Sequence, residues 1–162
     1  MKMKNVAKIA IIAFAFWNCE RVKTFPPEPF VQLDKFEVIG ADVNPDFPAE
    51  HIELDIYFTD GDGDIGLDSE EPPHCLTCDH YFNLYINVYC KIEGEYELVY
   101  DNNARIEDIT PDQQNTSLEG HILIPVDVFN RTSDTVMMDF YLEDRALNKS
   151  NTEMTPEIYI NL

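Results

Sequence analysis

The sequence has few basic residues and no apolar run long enough to cross a membrane. Its 162 residues include 11 lysines and arginines against 31 aspartates and glutamates, giving a formal net charge of −20 at pH 7. Such a surface repels nucleic acid and anionic membrane surfaces, and it favours cations or basic partners. We therefore expect no nucleic-acid partner, although solubility alone is a sufficient reason for most of the carboxylates.

Motifs of the common nucleophilic and phosphate-transferring enzymes are also absent. The chain contains neither Gly-x-Ser-x-Gly nor a glycine-rich phosphate loop. Aspartate and glutamate are so abundant that spacing alone singles out no catalytic pair. The sequence therefore predicts a protein that is not an enzyme, with no catalytic residue.

The N-terminus has the pattern of a secretory signal. Lysines at positions 2, 4 and 8 precede a short apolar run from Ile9 to Trp17, as in the basic and hydrophobic regions of a signal peptide. A membrane-spanning helix needs about 20 apolar residues. A buried core helix is the alternative, and the flanking lysines and prolines argue against it. We predict a signal peptide over residues 1–18.

Cys19 follows the predicted signal, as the lipidated cysteine follows a bacterial lipobox. The usual small residues before the cysteine are replaced by Trp17 and Asn18. Cleavage after Ala13-Phe14-Ala15 is the alternative, but it leaves a hydrophobic region of only a few residues. We favour lipidation of Cys19, with residues 19–30, which hold three prolines, as anchor and extended tether.

The rest of the chain alternates apolar and polar residues with period two, which is typical of half-buried strands. Seven strands are predicted, at 31–40, 51–59, 81–92, 95–100, 119–128, 135–143 and 156–162. Only a turn near 104–109 suggests a helix. The fold class is therefore all-β, and we predict an antiparallel immunoglobulin-like β-sandwich over residues 31–162.

The sharpest motif is an acidic loop after the second predicted strand. Counted from the first aspartate, carboxylates occupy positions 1, 3, 5, 9 and 12, the side-chain ligand positions of a twelve-residue calcium loop. These residues are Asp60, Asp62, Asp64, Asp68 and Glu71. Calcium binds six to eight hard oxygens, and without a cation such carboxylates raise one another's pKa.

The loop departs from an EF-hand in two ways. Position 6 is Ile65 instead of glycine, and a strand rather than a helix leads into it. We therefore expect a calcium loop grafted onto a sandwich. A solvated acidic turn, or acids that cap backbone amides, are the alternatives.

A second polar loop, 143–151, lies between the last two predicted strands. In an immunoglobulin-like sandwich this loop and the acidic loop lie at the same end. Asp144 is then a candidate sixth ligand, and Arg145 is a candidate to neutralise part of the acidic loop. An ordinary polar turn is the alternative.

These two motifs carry a resemblance. Residues 58–67, Phe-Thr-Asp-Gly-Asp-Gly-Asp-Ile-Gly-Leu, and residues 144–151 resemble small uncharacterised envelope lipoproteins of the Bacteroidota type. The second motif is also similar to the acid-x-Ala-Gly-Asn-x-Ser closing segment of bacterial immunoglobulin-like domains, with Leu147 in place of the glycine. The resemblance implies an envelope location and a β-sandwich. It implies Asp60, Asp62 and Asp64 as the main ligands, with Asp68, Glu71 and Asp144 as secondary ones. It implies no activity.

A third cluster combines histidines and cysteines within seven residues. It comprises His74, Cys75, Cys78 and His80. Zinc binding through thiolate and imidazole is one interpretation. A Cys75–Cys78 disulfide, or free thiols, is the other, and a redox role would need a helix that is not predicted. Cys90, on an inward strand position, is expected to be a buried apolar residue.

Together these patterns predict a non-enzymatic outer membrane lipoprotein, attached to the membrane by its lipid. It would act as a binding or structural accessory module whose loop end is ordered by calcium, with an envelope protein or a glycan as partner. A metal-dependent hydrolase and a glycan-binding module are the alternatives. Tyr81, Tyr85 and Tyr89 are the candidate glycan platform, although they more simply cover a sheet face.

Overall fold

A computed structural model describes residues 23–40, 50–67, 79–108, 116–128 and 132–160. The predicted signal peptide and Cys19 lie outside these residues. So do Asp68, Glu71, His74, Cys75 and Cys78. The described residues contain no helix that is long and apolar enough to span a membrane.

Within the described ranges, eight strands form two antiparallel sheets. They are β1 (Phe30–Ile39), β2 (His51–Asp60), β3 (Leu84–Ile92), β4 (Glu95–Asp101), β5 (Leu118–Asp127), β6 (Thr135–Leu142), β7 (Glu153–Met154) and β8 (Ile158–Tyr159). The first sheet has the order β1-β2-β5, and the second has the order β4-β3-β6 with β7 and β8 both paired to β6. This division of the strands is that of an immunoglobulin-like sandwich, so the predicted fold class is confirmed.

The core lies between the two sheets and is built by alternation. On β3 and β6 every second side chain is buried, while the residues between them are half-exposed. The fully buried members on these strands are Leu84, Ile86, Val88, Cys90, Val136, Met138, Phe140 and Leu142. Cys90 is a free thiol inside this apolar cluster, where it packs as a small apolar residue.

The closing strand differs from its prediction over 156–162. The chain instead forms two strands of two residues each, β7 and β8. Pro156 lies between them and has no N–H to donate to the sheet, so the ladder is interrupted there. Thr155 bridges the gap, because its amide donates to the Met138 carbonyl at 2.8 Å and its hydroxyl accepts from the Met138 amide at 3.0 Å.

The helical turn suggested near 104–109 is wrong. The described part of this segment is extended and forms isolated bridges, Ala104 with Leu84 and Glu107 with Leu67. The buried Asn83 side chain holds it in this conformation. Its Oδ1 accepts from the Ile106 amide at 2.6 Å and its Nδ2 donates to the Ile106 carbonyl at 3.1 Å, so it takes the place of a neighbouring strand.

Candidate metal centre

The acidic loop brings its first three aspartates together. Asp60 is the last residue of β2, and Asp62 and Asp64 follow it at alternate positions. Each offers a carboxylate oxygen, and the three oxygens lie within 4.8 Å of one another. These are the three residues that the calcium-loop spacing placed first among the ligands.

Each of these carboxylates carries one buried oxygen that has no hydrogen-bond partner in the described part of the chain. Asp60 is 0% exposed, and its Oδ2 accepts from the Ile65 amide at 2.9 Å. Its Oδ1 and the Oδ1 atoms of Asp62 and Asp64 are buried and have no partner among the described residues. A buried charged oxygen without a partner is costly. Carboxylate oxygens gathered from three residues supply part of the six to eight oxygen ligands that calcium takes.

The departure from the EF-hand pattern at position 6 has a structural reason. Ile65 is buried in the core cluster, so at this position the loop is fixed to the sandwich by an apolar side chain. The tight turn is made at Gly63 instead, which has a φ of +74°. A Cβ there would lie 2.1 Å from the Thr116 carbonyl oxygen, so only glycine fits.

The electrostatics of the loop show the repulsion expected of clustered acids. Burial raises the pKa of Asp64 to about 6, and the charges of Asp144, Asp62 and Asp60 add to the shift. Burial also raises the pKa of Asp60, which the Ile65 amide partly counteracts. The ionised form of Asp64 is therefore less favourable than that of an ordinary aspartate, and a cation beside it would offset this cost.

The loop 143–151 lies beside the acidic loop, as expected from the fold. The Arg145 amide donates to the Asp64 carbonyl at 3.3 Å, and the charge of Asp144 acts on the Asp64 carboxylate. Asp144 is buried, and its two oxygens accept from the Asn148 amide at 2.7 Å and the Asn148 Nδ2 at 2.9 Å. Asp144 thus closes its own turn while it adds negative charge to the cluster.

Arg145 makes an ion pair with a third segment. Its Nη1 lies 3.0 Å from Oδ2 of Asp108, whose side chain is almost fully buried. The alternative role for Arg145, neutralising the acidic loop, stays a prediction. The Asp108 pair was not anticipated, because 37 residues separate the two partners.

Part of the predicted tether also reaches this end of the sandwich. The Phe25 amide donates to Oγ of Ser117 at 3.3 Å, and Lys23 pairs with Glu119 at 3.0 Å. A Cβ on Gly61 would lie 2.3 Å from the carbonyl oxygens of Phe25 and Pro26. The acidic loop is therefore packed directly against residues that precede β1.

The histidine–cysteine cluster is represented among the described residues by His80. Its Nδ1 lies 2.5 Å from Oε1 of the buried Glu143. The other three members lie outside the described residues, so zinc or a disulfide at this segment stays a prediction.

A second group of potential metal ligands was not predicted from the sequence. Asp34, Asp55 and His121 meet on the outer face of the first sheet. His121 Nδ1 lies 2.7 Å from Asp55, and the Lys35 ammonium lies 3.8 Å from the same carboxylate. These partners already satisfy Asp55, so the group is an ordinary charge cluster. Only the strand register brings it together.

Comparisons with protein-family models, with curated proteins and with solved structures gave no match. Function is therefore argued from the geometry of the sandwich and its acidic loop.

Proposed function

We propose that this protein is a non-enzymatic, lipid-anchored envelope protein whose sandwich serves as a binding or structural accessory module. A calcium ion at the loop end would be held by Asp60, Asp62 and Asp64, with Asp144 adding charge beside them. Asp68 and Glu71 complete the set suggested by the sequence. The observation that carries the proposal is the trio of buried, unpartnered carboxylate oxygens.

The donor set favours calcium over other common ions. All three groups are carboxylates, which are hard oxygen donors, whereas structural zinc sites use thiolate and imidazole. Magnesium requires a near-ideal octahedron and keeps several of its waters. A loop that contributes buried oxygens from alternate residues suits the larger and more adaptable calcium shell.

The position of the loop supports a structural role for the ion. It contacts the tether at Phe25, the segment at Thr116 and the loop at Arg145. An ion there would hold three separate segments in one arrangement at the end of the sandwich. Loops on such a rigid scaffold are common binding surfaces.

The hydrolase alternative requires a metal with an open coordination position beside a pocket. One pocket among the described residues is lined by side chains such as Tyr85 and Glu143, and its lining includes none of the three clustered aspartates. This pocket therefore gives the hydrolase alternative no support, and the contacts of the acidic loop with three separate segments are why we favour the binding or structural module.

Thermal unfolding of the full chain in detergent, with calcium and with chelator, tests the proposal. Calcium should raise the melting temperature of the wild type, since a ligand that binds only the folded state stabilises it. The variant Asp62→Asn, Asp64→Asn should lose this response.

A control variant with the same charge change, Glu97→Gln, Asp134→Asn, alters exposed side chains outside the acidic loop and should keep the response. Equal melting temperatures for the wild type in calcium and in chelator would contradict the proposal.

A further inference from the structure

A pocket of about 310 Å³ lies on the outer side of the second sheet, separate from the metal centre. It opens where Glu143 follows the end of β6 and where residues 79–82 lead into β3. Its size is at the lower end of the range for small-molecule sites. Its lining combines aromatic rings with a buried carboxylate.

The aromatic part is a stacked pair of tyrosines. Tyr85 on β3 and Tyr141 on β6 are direct cross-strand partners. Their ring centroids are 4.8 Å apart and the ring planes differ by 10°. Burial and the nearby Glu143 charge raise the pKa of Tyr85 to about 12, so its hydroxyl remains a hydrogen-bond donor at neutral pH.

The polar part centres on Glu143, which is 3% exposed. Its Oε1 lies 2.5 Å from Nδ1 of His80, and its Oε2 lies 3.8 Å from the Lys149 ammonium. His80 has a φ of +60°, a backbone conformation that residues other than glycine rarely adopt. With this strained backbone, the His80 imidazole lies at the edge of the pocket.

The lining of the pocket carries charges of both signs, so neither a cation nor an anion is matched by all of its charged groups. A cation would meet the Lys149 ammonium, which lies over the Tyr141 ring at 5.0 Å from its centroid and close to Glu143. An anion would meet Glu143 and Asp79, in a protein whose net charge is −20. A wholly apolar ligand would leave the Glu143 and His80 groups without solvent.

We infer that this pocket binds a neutral saccharide, with a sugar ring against the tyrosine pair and its hydroxyls bonded to Glu143, His80 and Lys149. Sugar rings have an apolar C–H face that packs on aromatic rings, and their hydroxyls both donate and accept hydrogen bonds. The inference goes beyond the calcium proposal and does not depend on it, because the pocket shares no side chain with the metal ligands.

Saturation-transfer NMR on the full chain in a non-glycosidic detergent tests this inference. The probes are maltose, cellobiose, lactose and N,N′-diacetylchitobiose, each tested with calcium and with chelator. At least one sugar should bind the wild type, and Tyr85→Ala should weaken that binding about tenfold, as expected for loss of an aromatic contact. Tyr85→Phe should retain most of the binding, because it keeps the ring. Glu143→Gln should weaken it if the variant folds.

Tyr89→Ala is the matched control. Tyr89 lies on the same face of β3, where its hydroxyl bonds Asp139 at 2.6 Å, outside the pocket lining. Its substitution should leave sugar binding unchanged. The inference is overturned if none of the four sugars binds, if Tyr85→Ala binds as well as the wild type, or if tetramethylammonium binds and the sugars do not. If the wild type binds a sugar but does not bind calcium, only the calcium proposal is overturned.

Discussion

The main-chain amide of Arg145 donates a hydrogen bond to the main-chain carbonyl of Asp64 at 3.3 Å. This bond joins two loops that are about 80 residues apart in the sequence and brings the charge of Asp144 near the Asp64 carboxylate. The end of the sandwich therefore gathers four acids from two loops. Without a cation, that arrangement costs folding free energy.

The first prediction concerns pH. The pKa of Asp64 is raised to about 6 in the folded protein, above the roughly 3.9 of an aspartate in an unfolded chain. Asp64 therefore contributes stability that is complete below about pH 4 and is lost as the pH rises through about 6. In chelator, the loss of this contribution should lower the melting temperature as the pH rises from about 4 to above 6. Asp64→Asn should make the melting temperature depend less steeply on pH.

Calcium should reverse this trend, because the metal binds the ionised carboxylate. The stabilisation by calcium should be larger at pH 7 than at pH 5. Melting curves at several pH values, with and without calcium, measure both effects. A calcium effect that is equal at the two pH values would contradict the assignment of Asp64 as a ligand.

The second prediction concerns Leu147. This residue is 53% exposed and has a φ of +66°, at the position where the resembling domains have glycine. Since the left-handed conformation is costly for residues with a Cβ, Leu147→Gly should stabilise the protein by up to about 1 kcal/mol. Urea denaturation measures the change in the free energy of unfolding.

Leu98→Gly is the control for that substitution. Leu98 is also an exposed leucine, but it lies within β4, where glycine is unfavourable. This variant should be less stable than the wild type, by about 1 kcal/mol. Destabilisation by both glycines would show that the Leu147 backbone carries no strain.

The third prediction concerns Asn83, whose side chain forms hydrogen bonds with the Ile106 main chain like those of a neighbouring strand. Asn83→Ala leaves the Ile106 amide and carbonyl without these partners. The Ile106 carbonyl still accepts from the Leu67 amide at 2.9 Å, so only the Ile106 amide is left unpaired. We expect a loss of about 1 to 3 kcal/mol in the free energy of unfolding, the usual cost of one unpaired buried group. Gln32→Ala, at an exposed position on β1, should change stability by no more than about 0.5 kcal/mol. A similarly small effect for Asn83→Ala would contradict its bracing role.

The fold was predictable from sequence because alternation records which side of a sheet faces the core. Leu84, Ile86 and Val88 alternate with half-exposed residues on β3, and the structure buries all three. The closing strand was misjudged because one proline, Pro156, divides it. The extended segment at Ile106 was missed because Asn83 holds it from 23 residues away.

The two candidate sites also differ in how far the sequence alone predicts them. The acidic trio was predictable because the ligands are two residues apart and the loop alone brings them together. The pocket was not predictable, since Glu143 and His80 are 63 residues apart. The Tyr85–Tyr141 stack likewise depends on the register between β3 and β6, which alternation alone does not specify.

A structure from crystals grown with calcium would show whether the Oδ1 atoms of Asp60, Asp62 and Asp64 are calcium ligands. If these oxygens bind calcium, an anomalous peak should appear with Oδ1 of Asp60, Asp62 and Asp64 at about 2.3 to 2.6 Å from it, the usual calcium–oxygen distance. The same crystals grown with chelator should lack the peak. A calcium-grown structure in which these oxygens bond only to water or to protein donors, with no peak between them, would contradict the claim.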